Sequence, residues 1–232
     1  MDFSVILPAA GRSARFGGPR NKLLEQLVGQ SVIAHSVSAF LERPDVVQVV
    51  IATFDFHGIR AALEQAETPL DRRVVFCEGG TCRAGSVREA LARVNANIAW
   101  VAVHDAARPL VSQSLIDRTL AAAVVHGAAV PALPVHLTIK QATGPLPARV
   151  ERTIPRHTLW AMQTPQIVRR EALVDAFDRC PLPLDQVTDD VQLIELAGGE
   201  VWLVEGEERN LKITTQADMK LAQGMWREVG PR

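Results

Sequence analysis

Apolar residues along the chain fall into short continuous runs, separated by segments in which they recur every three or four positions. Val5, Ile6 and Leu7 end the first run, the pattern of a strand covered on both faces, and Pro8 stops it by removing a backbone donor. Ser31 is placed to cap a helix whose apolar positions Val32, Ile33, Val37, Phe40 and Leu41 share one face and end before Pro44. Residues 46–52 read as a second buried strand, 57–65 as a short helix and 73–77 as a third strand. A helix over 86–94, a fourth strand over 99–103 and a helix over 112–126 follow. Strands alternating with helices predict βαβ units. The expected fold is α/β and Rossmann-like, a mostly parallel sheet flanked by helices, with ligands beyond the carboxyl ends of the strands.

Residues 129–135 give another strand, but 136–155 break the alternation with Gly144, Pro145, Pro147 and two β-prone pieces around Thr138 and Val150. This predicts a protruding β-arm, which either packs against another surface or is a flexible insertion. Residues 159–162 should return to the core, 169–177 and 188–196 should be helical, and 201–204 should form a late strand. Thr215 with Asp218 three residues on fits a capping box for the last helix.

With 232 residues, 47% of them hydrophobic and no break in composition, the chain is expected to be one domain, 1–232, carrying the arm. Formal net charge is −1, so there is no global basic field for nucleic acid or a membrane, and a small anionic substrate is favoured. The start MDFSVILPAAG lacks a cationic leader pattern, and no run approaches the roughly 18 apolar residues of a membrane span. Cys77, Cys82 and Cys180 form no Cys-x-x-Cys pair and suit a reducing cytoplasm. The six His residues show no zinc spacing, so any metal should be a hard cation held by oxygens.

The candidate chemistry begins where the first strand ends. Ala9, Ala10, Gly11, Ser13, Ala14, Gly17 and Gly18 are small enough to lay backbone NH groups against a ligand, and Arg12, Arg15, Arg20 and Lys22 are threaded among them. Such a loop suits polyphosphate. It is neither a Walker loop, since no Lys follows Gly17 or Gly18, nor a dinucleotide fingerprint, since Gly11-Arg12-Ser13 breaks that pattern. A solvated glycine-rich turn is the plain alternative.

PAAG at Pro8–Gly11 with Arg15 and Lys22-Leu23-Leu24, VHDAARP at Val103–Pro109 and QTPQ at Gln163–Gln166 together carry a resemblance. They resemble the 2-C-methyl-D-erythritol 4-phosphate cytidylyltransferase family of the non-mevalonate isoprenoid pathway, from about Phe3 to Ala222. The resemblance implies Arg15, Lys22 and Lys212 as catalytic cations. It further implies that Pro8, Ala9, Ala10, Gly11, Gly79, Gly80, Thr81, Ser86, Asp105 and Ala106 bind CTP. Asp105 would hold Mg²⁺, with capping of the next helix or pairing with Arg108 as its plain alternatives. Arg108, Thr138, Arg156, Thr164 and Thr188 would meet a polyol phosphate, with Arg156 suited to its terminal phosphate. Ser86 also fits a helix N-cap, Lys212 alone would be a solvated charge, and His104 is better suited to structure than to a base role. Family members are dimers, so the arm would serve a homodimer. The chain departs from the family at Asn21-Lys22-Leu23, where Pro-Lys-Gln is usual, and at His136-Leu137-Thr138 in the arm. Transfer to another acceptor such as ribitol 5-phosphate, or a non-catalytic nucleotide-binding protein of the same fold, are the alternatives.

Overall fold

The computed structural model describes residues 1–11, 15–17, 21–66 and 70–229. Arg12, Ser13, Ala14, Gly18 and Arg20 of the candidate phosphate loop therefore lie outside the described residues.

The first strand, β1 (Phe3–Pro8), runs between two parallel neighbours, β4 (Val46–Thr53) and β6 (Trp100–Val103), and β5 (Val74–Glu78) extends the sheet beyond β4. Its side chains alternate between two cores. Phe3, Val5 and Leu7 join one apolar cluster with Phe40 of α1 (Val32–Leu41) and Leu115 of α4 (Gln113–His126). Ile6 joins the other with Val87 of α3 (Arg83–Leu91), Leu173 of α5 (Arg170–Asp178) and Leu193 of α6 (Asp190–Leu196). A strand covered on both faces must be apolar on both, which is why its sequence does not alternate.

The helices end where their caps allow. Ser31 accepts the Ala34 NH at the start of α1, and Asp55 accepts the Gly58 NH for α2 (Phe56–Glu64). For α3, Cys82 is the cap, its Sγ 3.3 Å from the Gly85 nitrogen. That corrects the expected start at Ser86, which lies inside the helix and turns its hydroxyl back to the loop.

The far half of the sheet is less regular than the alternation predicted. β7 (Ala128–Pro134) is separated from β6 by β11 (Gln166–Arg169), which runs antiparallel to both. β11 takes Arg169 out of the helix expected over 169–177, and four residues behind a proline give too short a run to show a strand period. β10 (Trp160–Met162) pairs antiparallel with β7, and β12 (Trp202–Glu205) pairs parallel with it. All three β10 residues are exposed, so 159–162 return to the sheet without entering the core. A second unexpected feature is the small hairpin of β2 (Gln26–Leu27) and β3 (Gln30–Ser31). Its two-residue turn has positive φ at both Val28 (45°) and Gly29 (88°), as tight hairpins require, but lacks the Asn-Gly signature.

The expected arm is present as β8 (Ile139–Ala142) paired antiparallel with β9 (Val150–Ile154). Among the described residues these strands pair only with each other, and Leu137, Leu146 and Val150 are exposed on the arm. Thr215 and Asp218 form the expected capping box before α7 (Gln216–Val229): the Asp218 NH donates to Thr215 Oγ1, and Asp218 Oδ2 accepts the NH groups of Thr214 and Thr215. Among the described residues no helix is long and apolar enough to cross a membrane.

Candidate functional site

A cleft of about 650 Å³ opens at the carboxyl ends of β1, β4, β5 and β6. Pro8, Ala9, Ala10 and Gly11 supply its floor from the end of β1, and Arg15 stands exposed at its edge. Lys22 reaches in from a 3₁₀ turn, Lys22–Leu24, that explains the local sequence. Asn21 caps the turn by accepting the Leu23 NH, Leu23 is buried beneath it, and Lys22 Nζ donates to the Ile213 carbonyl at 2.8 Å. Lys212 and Thr214 enter from the segment before α7.

The wall after β5 is built by close backbone approach. A Cβ on Gly79 would fall 2.2 Å from the Ala10 Cβ, and one on Gly80 would fall 2.4 Å from the Gly85 carbonyl carbon. Neither position admits a side chain without movement of the loop. Ser86 Oγ accepts the Gly80 NH at 3.1 Å and lies 3.0 Å from the Cys82 carbonyl, so the hydroxyl closes the loop on the first turns of α3. Gly80, Thr81 and Ser86 line the cleft, whereas Gly79 packs behind it against the β1 loop.

Asp105, just past β6, is the electrostatic centre. Its Oδ1 is 3.1 Å from Arg83 Nε, and its Oδ2 is 3.0 Å from Lys212 Nζ and 3.4 Å from Arg108 Nε. Burial would raise its carboxyl, but the surrounding Arg83, Lys212 and Arg108 hold it well below the usual carboxylate range. It does not cap a helix: α4 begins at Gln113 and Ser112 is its cap. Ala106 lies beside it in the cleft.

Lys22 has the opposite problem. Burial, and then the nearby positive charge of Lys212, lower its ammonium below the ordinary lysine value. Cations crowded in a half-buried cleft favour an anion between them, and Arg15, Lys22, Arg83 and Lys212 all line this one.

The QTPQ segment holds the site from behind, and two residues expected on the acceptor side, Thr164 and Arg108, lie there with it. Thr164 is 4% exposed; its Oγ1 accepts the Asp105 NH at 3.0 Å and lies 3.0 Å from His104 Nδ1. His104 Nε2 lies 3.1 Å from the Arg108 carbonyl, which can only accept, so that nitrogen carries a proton and donates. His104 and Thr164 together support the backbone at Asp105 from behind the cleft. Gln163 Oε1 accepts the Glu207 NH, and its Nε2 donates to the Glu207 carbonyl. Asn210 Nδ2 donates to the Thr164 carbonyl. Arg108 likewise lies behind Asp105, its guanidinium donating to the Asn210 carbonyl at 2.7 Å, and it does not line the cleft.

Three expected acceptor residues stand apart. Thr138 and Arg156 are exposed on or just after the arm, with Arg156 donating to the His136 carbonyl. Thr188 is exposed and donates through N and Oγ1 to Gln192 Oε1. None of them lines the cleft. Conversely, Phe54 and Cys82 line it without being named as site residues from the sequence, because isolated apolar residues beyond strand ends carry no periodic signal.

Among the described residues no three His, Cys, Asp or Glu side chains converge as a ready metal site. Among the described lining residues Asp105 is the one carboxylate, a donor set that fits magnesium only with phosphate oxygens completing its shell. A cation on Oδ2 would take the place of Lys212 or Arg108.

The family model described as IspD, 2-C-methyl-D-erythritol 4-phosphate cytidylyltransferase, matches residues 3–228. The chain is 41% identical to the 2-C-methyl-D-erythritol 4-phosphate cytidylyltransferase of Symbiobacterium thermophilum over 95% of its length and 91% of that protein. Its fold is similar to the crystal structure of the Thermus thermophilus enzyme of that name, with TM-score 0.77, 36% identity and coverage of 98% of this chain and 100% of that one. The Francisella tularensis enzyme gives TM-score 0.83 at 30% identity, covering 97% of this chain and 100% of its own.

Proposed function

The chain belongs to the 2-C-methyl-D-erythritol 4-phosphate cytidylyltransferase family, and from that we propose that it transfers the cytidylyl group of CTP to 2-C-methyl-D-erythritol 4-phosphate in isoprenoid biosynthesis. A phosphate oxygen of the acceptor attacks the α-phosphorus of CTP, a new P–O bond forms, and the bond to the bridging oxygen breaks to release pyrophosphate. Both reactants are anions, so charge neutralisation and in-line placement are the main demands on the protein. Lys22, Lys212 and Arg15 supply the charge, and the backbone of Ala9–Gly11 lets phosphates approach closely. Gly80, Thr81 and Ser86 shape the base end, where a tight loop excludes purines by size. Magnesium, held by Asp105 and the phosphates, would neutralise further negative charge when bound.

The observation that carries this reading is the convergence of Arg15, Lys22, Arg83 and Lys212, among the described residues, in one cleft at the strand ends, with Arg83 and Lys212 on the Asp105 carboxylate. We further place the arm at a homodimer interface, because β8 and β9 leave exposed edges and apolar side chains unpartnered among the described residues. The free thiols of Cys77, Cys82 and Cys180 suit a reducing cytoplasm.

Pyrophosphate release tests the reading directly. CTP with 2-C-methyl-D-erythritol 4-phosphate should be turned over, and ribitol 5-phosphate should serve poorly. UTP should be a poor donor, since a site built to accept the cytosine amino group leaves a buried acceptor unpaired with uracil. Comparable kcat/KM for CTP, UTP, ATP and GTP would refute a cytidine pocket, and better turnover of ribitol 5-phosphate would move the assignment to that acceptor.

A further inference from the structure

Arg83 opens α3 at the base-side wall, yet its guanidinium faces two carboxylates on other elements. Nε is 3.1 Å from Asp105 Oδ1, and one terminal nitrogen is 2.8 Å from Oδ2 of Asp190, the first residue of α6. Asp190 does not line the cleft. Its side chain is fully buried, and its Oδ1 has no hydrogen-bond partner. An incompletely satisfied buried carboxylate is costly, and an ion pair used only to join packed elements is often replaceable by apolar side chains. A geometric role accounts for it better. A planar guanidinium binding two carboxylates fixes the spacing of both, which one flexible point charge cannot do.

Asp190 is itself pinned. Gln166 Oε1 accepts the backbone NH of Asp190 at 2.9 Å and of Val191 at 3.0 Å, while Gln166 Nε2 donates to Asp189 Oδ2 at 2.9 Å. A continuous chain of contacts therefore runs from the start of β11 through Asp190 and Arg83 to Asp105. It ties the base-side loop to the carboxylate at the phosphate end.

We propose that Asp190 is a positioning residue for nucleotidyl transfer, holding Arg83 so that the base-side loop and Asp105 keep a fixed separation around bound CTP. The inference rests on the transferase reading given above. Removing Asp190 leaves Arg83 free to follow Asp105 alone, and the base and the reacting phosphate fall out of register.

The test is a double-mutant cycle of Asp190→Asn and Arg83→Lys, the latter keeping the charge but losing the two-pronged reach. Calorimetric CTP affinity, kcat and melting temperature are measured for each protein. Each single substitution should weaken CTP binding about fivefold and lower kcat about tenfold, and the double variant should be no worse than the poorer single. Losses that multiply would overturn the proposal. So would a lowered melting temperature with CTP affinity and kcat unchanged, the result of a purely structural pair. If Asp190→Asn does not fold, Arg83→Lys alone decides, because wild-type kinetics in that variant would remove the need for a bridge. Wild-type protein that binds CTP but turns over no acceptor defeats the transferase reading only, and the CTP-binding cycle still decides the role of Asp190. Wild-type protein that neither binds CTP nor turns it over defeats both.

Discussion

Lys22 carries the clearest consequence of a single residue's surroundings. Burial and Lys212 lower its ammonium, so it loses its proton at a lower pH than an ordinary lysine, and the alkaline limb of kcat/KM should fall below the usual lysine range of about 10.4. Lys22→Arg should move that limb upward, because guanidinium stays charged there. Lys22→Ala should lower kcat by about 10²-fold or more with the melting temperature preserved, and a near-normal kcat would remove Lys22 from the reaction. Asp105 answers to a different measurement. Asp105→Asn keeps the shape but loses the charge, so half-maximal activity should require more magnesium. An unchanged magnesium titration would leave Asp105 as an anchor for Arg83, Arg108 and Lys212 alone.

Among the elements, the start of α7 and the loop before α3 make contrasting demands. Asp218 is held below its ordinary value: burial would raise it, but hydrogen bonds from the Thr214 and Thr215 NH groups and the Thr215 side chain, with the charge of Lys22, together outweigh that. A carboxyl depressed in the folded state contributes its full stability above the unfolded value of about 3.9, and that contribution is lost as pH falls through the folded value. Asp218→Asn should therefore cost about 1 kcal/mol at pH 7, with the difference closing below about pH 4, as read from urea midpoints at both pH values. A constant difference would show that the charge is irrelevant to the cap. This cap was legible in the sequence, as were the strands around β1 and the Ser31 cap, because each depends on neighbours within a few residues. Where contacts are distant, legibility failed. Nothing local marks Gln166 as the partner of Asp190, or Thr164 as the support of Asp105, and β11 enters between β6 and β7 without a period of its own. The α3 start was misplaced because Ser is the commoner cap, whereas Cys82 fills that position and Ser86 is needed to close the glycine loop. The family resemblance pointed to Arg15, Lys22 and Lys212, and it is their convergence in one cleft that the fold adds.

At the scale of the whole molecule, residues expected to meet the acceptor lie off the cleft of their own chain. Thr138 and Arg156 are exposed at the arm, whose strands pair only with each other among the described residues. In a two-fold dimer with reciprocal arms, each site takes Lys22 from one chain and Arg156 from the other. Lys22→Ala and Arg156→Ala homodimers should then both be inactive, each site carrying one lesion. A mixed dimer gathers both lesions into one site and leaves the other intact. Unfolding and refolding the two variants together in equal amounts makes about half the dimers mixed, and half of their sites are whole, so roughly a quarter of wild-type activity should return. If Arg156 serves its own chain, every site in the mixture still carries one lesion. Activity at background after subunit exchange, verified with differently tagged chains, would return the arm to its own subunit.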